Sequence, residues 1–129
     1  MKSAVLLMVV ALLASQPAQA REHLPRRVGQ CVVTSVMKLE FRLEDPDTHE
    51  PVRDSGSAIE FTNGGYLVSY DTIPAVEASE LGDPVRMCLV SIARGCPAGD
   101  QRGREYRVTN LRTHKSWRLP DAEHMCGGA

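Results

Sequence analysis

Aromatic side chains are scarce: two Phe, three Tyr and one Trp in 129 residues. So few rings supply no stacking platform for a sugar or a nucleotide. There is no CxxC pair and no HxxxH spacing, the patterns common zinc sites require. A GxSxG nucleophile elbow is missing. Carboxylates are plentiful, but no two stand out as an acid–base pair. No internal repeat or low-complexity segment is present. The main apolar run, residues 4–14, is eleven residues long. A membrane-spanning helix needs about 20.

That short run reads instead as the centre of a signal peptide. Lys2 supplies the positive flank, and Ala18-Gln19-Ala20 is a small-x-small cleavage signal. Residues 1–20 are therefore expected to be removed, with the mature chain starting near Arg21. The residue immediately after the cleavage site is Arg21, not cysteine, which argues against a lipid anchor. Export implies a periplasmic or secreted protein with no transmembrane segment in the mature chain. Residues 21–30 are polar, basic and broken by Pro25, and read as a flexible leader. The remainder, 31–129, is expected to form one small β domain.

Four cysteines remain in the mature chain: Cys31, Cys88, Cys96 and Cys126. An even count in an exported chain reads as two disulfides, with free buried thiols as the alternative. Each bridge is expected to contribute about 2–4 kcal/mol by restricting the unfolded chain.

Charge is balanced in sum but not along the chain. Residues 40–83 carry eleven acids against Arg42 and Arg53, whereas 84–119 carry eight bases against Asp100 and Glu105. The preferred reading is that the two halves pair in the fold and cancel. The alternative is an exposed basic face that attracts an anionic partner. Nucleic acid is a poor fit, because the total is not basic and an exported protein rarely meets it.

Met37, Leu39, Phe41 and Leu43 alternate with charged residues, the period-two pattern of a half-buried strand. A polar, proline-broken loop follows. Asn63-Gly64 marks a tight hairpin between strands near 57–62 and 65–70. The stretch IPAVEASELGD predicts a short helix over 74–81, and VRMCLVSI a central strand over 85–92. A last hairpin turns across 111–115, with Tyr106, Val108, Trp117 and Leu119 facing inward. Tyr66, Tyr70 and Trp117 read as core or half-core aromatics.

This order predicts an all-β fold with one short helix, a small OB-like barrel plus a C-terminal hairpin strand. A β-sandwich is the alternative. The barrel reading sets the first strand antiparallel beside the strand holding Cys88. Of the three possible pairings it therefore expects Cys31–Cys88 and Cys96–Cys126, each with Cα atoms within about 7 Å.

From Ser55 onward the pieces SGSAIEFTNGGYLVSYD, GDPVRMCLVSI, CPAGDQRGREY, NLRTHKSWRLPD and HMCGGA carry a resemblance. The chain resembles a group of small, uncharacterised exported proteins of Gram-negative bacteria. The resemblance implies export and a bacterial role, and transfers no catalytic residue and no cofactor.

The loop from Cys96 to Tyr106 is the leading candidate site. Asp100 is placed to hold Arg102 or Arg104 in a fixed fork, and a fixed guanidinium suits a carboxylate or phosphate. The plainer reading of those residues is a loop bracing itself. His114 and His124, with Met125 and Cys126, offer copper or zinc ligands, although a bridged Cys126 supplies no thiolate. The expected function is a non-catalytic exported binding module that recognises an envelope protein or other anionic partner through Asp100, Arg102 and Arg104. A metal-binding envelope protein using His114 and His124 is the alternative, and a small hydrolase stands third.

Overall fold

The computed structural model describes residues 22–128; the expected signal segment and Ala129 lie outside them. Six strands and one helical turn run in the order β1 (Cys31–Phe41), β2 (Ser57–Phe61), β3 (Tyr66–Ser69), α1 (Pro74–Glu77), β4 (Pro84–Ile92), β5 (Arg104–Asn110) and β6 (Ser116–Pro120). They form a single antiparallel sheet, ordered β3-β2-β1-β4-β5-β6. The sheet curls until its edge strands β3 and β6 approach each other, making a half-barrel around one core. With one sheet rather than two, the barrel reading stands and the sandwich does not.

β1 is the hinge of this curl. Its first half, Cys31–Ser35, pairs with β4, and its second half, from Val36, pairs with β2. The register slips between Val36 and Lys38. The extra residue there turns the pleat over. Thr34 and Val36 face inward before the slip, Leu39 and Phe41 after it, and Met37 is left half exposed at 50%. The sequence alternation of Met37 with Leu39 therefore fails at the one residue that forms the bulge.

The Asn63-Gly64 hairpin forms as expected. Gly64 sits at φ +86, which suits glycine, and the Phe61 N–H donates to Gly65 O at 2.9 Å. The helix is shorter than expected, ending at Glu77 rather than near 81. Ser79 hydroxyl turns back to Ala75 O, and the Gly82 N–H is taken by Val36 O on β1, so the chain leaves the helix after one turn.

Val36, Ile59, Phe61, Leu67, Val85, Met87, Leu89 and Val108 fill the interior, closed by Tyr106, Trp117 and Leu119. The four inward residues expected of the last hairpin are all buried. Of the three aromatics expected as core or half-core, Trp117 is buried, whereas Tyr66 and Tyr70 are only partly covered, at 36% and 53% exposed. The Tyr70 ring instead carries the Arg42 guanidinium at 4.3 Å and meets the His124 ring edge-on at 6.5 Å.

Cys31 lies directly opposite Cys88 across β1 and β4, and the two are bridged with Cα atoms 4.0 Å apart. Cys96 is bridged to Cys126 with Cα atoms 5.3 Å apart, and no cysteine is free. Two disulfides fit a non-cytoplasmic protein. No helix among the described residues is long and apolar enough to cross a membrane.

Residues 22–30, expected as a flexible leader, lie against the barrel. Gly29 N–H donates to Leu89 O and Leu89 N–H to Gln30 O. Pro25 is buried and Leu24 packs on the core. The Glu22 carboxylate accepts from the hydroxyls of Thr34 and Thr62.

Candidate functional site: the cleft under the Cys96–Tyr106 loop

The β4–β5 loop is pinned from three sides. Ala93 N–H donates to Gly103 O, and the N–H groups of Gly103 and Arg104 both donate to Asp121 Oδ1 at 2.9 and 3.2 Å. Gly103 is at φ +99, and a Cβ there would press on Ala93 Cβ at 2.6 Å and on the Met125 methyl at 3.2 Å. Only glycine lets the loop and the tail close together at this point. The Cys96–Cys126 bridge holds the tail down beside them.

Asp100 does hold Arg102 in a fork. Arg102 donates from Nε to Oδ1 at 3.0 Å and from Nη2 to Oδ2 at 2.8 Å. The same carboxylate accepts from Gly127 N–H at 2.9 Å, and Arg102 Nη2 also reaches Gly128 O at 3.1 Å. The Arg102 guanidinium, then the N–H groups of Gly127 and Arg102, hold the Asp100 carboxyl well below the usual carboxylate range. All of these contacts are internal. Asp100 and Arg102 clamp the C-terminal tail onto the loop.

Arg104 stands apart. Its Nη1 donates to Gln101 O at 3.1 Å, and no carboxylate of the described residues lies within 4.0 Å of its guanidinium, Asp121 meeting only its backbone N–H. It lines a cleft of about 720 Å³ between this loop and the β2–β3 hairpin, floored by Leu24, Met87 and Tyr106, with Gly65 and Tyr66 on the far wall. A second recess of about 430 Å³ shares Leu24, Gln101, Arg104 and Tyr106 and adds Arg26 and Asn63. Arg104 thus borders both. Burial first, and then the Asp121 charge, push the Tyr106 phenol up; like any phenol at neutral pH it is protonated and able to donate.

The three expected binding residues share one loop but divide in role: two brace it and one faces open space. Tyr106, at the end of the same loop, and the hairpin wall complete the cleft, and Arg26 joins the second recess; no sequence signal joined Arg26 or the hairpin to Arg104, since Arg26 lies 78 residues away. His114 occupies the β5–β6 turn at φ 60, its N–H donating to Asn110 O. His124 lies in the tail against Tyr70. Among the described residues, no three His, Cys, Asp or Glu side chains form a grouping able to hold a metal ion.

Elsewhere a buried polar cluster ties α1 to the last hairpin. Asn110 Nδ2 donates to Asp83 Oδ2 at 2.8 Å and to the Ser79 hydroxyl at 3.0 Å. Arg112 grips Asp83 from Nε at 2.6 Å and Nη2 at 2.9 Å. The Arg112 guanidinium, with Asn110 and the Glu80 N–H, holds the Asp83 carboxyl far below its ordinary value against the opposing effect of burial.

The fold and cleft define a small disulfide-stapled β-barrel with a polar mouth. No protein-family model, curated protein or solved structure matches the chain.

Proposed function

We propose that the chain is an exported, non-catalytic binding module that takes an anionic group of a partner, such as a carboxylate of an envelope protein, on Arg104. The observation that carries this is the contrast between the neighbouring arginines. Arg102 is consumed by Asp100, whereas the Arg104 guanidinium borders two recesses with no carboxylate of the described residues in ion-pair distance, although Asp100 and Asp121 also line the larger recess. A guanidinium held by its own loop needs little ordering when it meets a planar anion. Tyr106 hydroxyl and Arg26 are placed to add donors. Periplasmic or secreted placement is supported by the signal-like leader, the resemblance to exported bacterial proteins and the two disulfides.

The test separates the two arginines. Mature wild-type, Arg104→Ala and Arg102→Ala proteins serve as baits in envelope extracts, and their melting is measured in parallel. Arg104→Ala is expected to lose the partner that wild type retains, at least tenfold in amount, with melting unchanged. Arg102→Ala is expected to lower the melting temperature by freeing the tail. Equal capture by Arg104→Ala, or a melting loss as large as that of Arg102→Ala, contradicts the proposal.

A further inference from the structure

The sheet order sets the two charge halves of the sequence on different strands, which meet where the curl brings β3 and α1 against β6. β2, β3, α1 and the second half of β1 lie on one side, and β4, β5 and β6 on the other. Of the eight bases in 84–119, Arg112 alone reaches acids of 40–83, namely Asp83 and Glu80, among the described residues. Arg102 and Arg118 pair within their own half, with Asp100 and Glu105. The expectation that the halves cancel by pairing is therefore corrected: they form two faces of opposite sign.

The basic face is the outer surface of β4–β5–β6. Arg107 stands directly opposite both Cys88 and Arg118, and Arg86 opposite both Val33 and Thr109. Buried residues alternate with Arg86 and Arg107 along their strands, which turns the two arginines to solvent. Neither has a carboxylate within 4.0 Å among the described residues. Like charges directly opposite on neighbouring strands are destabilising in an isolated sheet; Glu105 already offsets Arg118, and Arg107 beside it is left to gain from an anion laid over the face. The Cys31–Cys88 bridge and Val33, 64% exposed, add an apolar centre.

The acidic counterpart is an ordered hairpin, not a loose loop. Glu44 and Pro51 form a bridge, Val52 N–H donates to Leu43 O, and the Asp45 carboxylate caps the N–H groups of Asp47 and Thr48. The Asp47 and Glu50 side chains at its tip have no ion-pair partner among the described residues. Residues 44–51 contain no Lys or Arg, and Leu43 and Val52 are exposed beside the acids.

We infer that a second copy of this chain occupies the arginine face, its 44–51 hairpin lying across Arg86 and Arg107. The two surfaces are different patches of one molecule, so the contact is head-to-tail. Charge complementarity within the chain carries the choice of partner.

Sedimentation of the mature protein tests this at about 10 mM and about 0.5 M salt, where screening lengths differ severalfold. The expected result is a weight-average mass above the monomer at low salt that falls to the monomer at high salt. Arg86→Glu with Arg107→Glu, and separately Asp47→Lys with Glu50→Lys, should each be monomeric at both, with wild-type circular dichroism. Mixing these two variants should restore association, because each then offers what the other lacks. A wild-type monomer at low salt and high micromolar concentration, or a mixture that stays monomeric, overturns the inference. So does tight one-to-one binding of an acidic peptide to the face of a wild-type monomer.

Discussion

At the scale of single residues, Asp83 shows how the fold spends its few buried charges. It is 5% exposed and meets Arg112, Asn110 and the Glu80 N–H. Its folded carboxyl titrates below the unfolded value of about 3.9. The stability it supplies is therefore fully present above that value and is lost as pH falls toward the folded one. The melting temperature is expected to decline as pH drops from about 5 toward 2. Asp83→Asn should destabilise by about 1–3 kcal/mol at neutral pH, since Asn110 and Arg112 lose a charged acceptor. It should also flatten the acid decline. Asp100 is lowered too, but Arg102 is 41% exposed, so solvent screening reduces its share. Calorimetry across that pH range checks both effects, and an Asp83→Asn curve parallel to wild type contradicts them.

At the scale of elements, what was legible in the sequence was local. The Asn63-Gly64 turn, the alternation of β5 and β6 and the apolar run of β4 each carry their instruction within a few residues. The Cys31–Cys88 pairing was legible too, because it follows from strand order. The β1 bulge was less so: two alternations of opposite parity meet at Met37, and only their pairing with different neighbours decides which residue is extra. Tyr70 read as a core or half-core residue because an aromatic in a strand usually packs inward. It packs instead under Arg42, which also pairs with Glu123 of the tail. The cleft was half legible: the Cys96–Tyr106 loop could be singled out, but the division between Arg102 and Arg104 depends on Gly127 and Gly128, far along the chain. That division gives the Cys96–Cys126 bridge a particular task. Replacing both cysteines by serine is expected to cost about 2–4 kcal/mol, and to expose the tail beyond Ala122 to protease while β1–β6 stay protected in hydrogen exchange. Uniform loss of protection would show that the bridge supports the whole barrel instead.

At the scale of the whole molecule, one antiparallel sheet carries two separate electrostatic features. The cleft under the β4–β5 loop holds a single open arginine, and the outer face of β4–β6 holds a row of them. The proposed function assigns a partner's anionic group to the first and the inferred association a neighbouring copy to the second, and they involve different side chains. An NMR titration with a short acidic peptide at low salt, using the mature Asp47→Lys, Glu50→Lys variant to keep the chain monomeric without screening Arg104, tests the central claim most directly. The account predicts shifts at the amides of Gly65, Gln101 and Arg104 and at Arg104 Nε, all lost in Arg104→Ala. Shifts confined to Arg86, Arg107 and their neighbours, or none near Arg104, would contradict it.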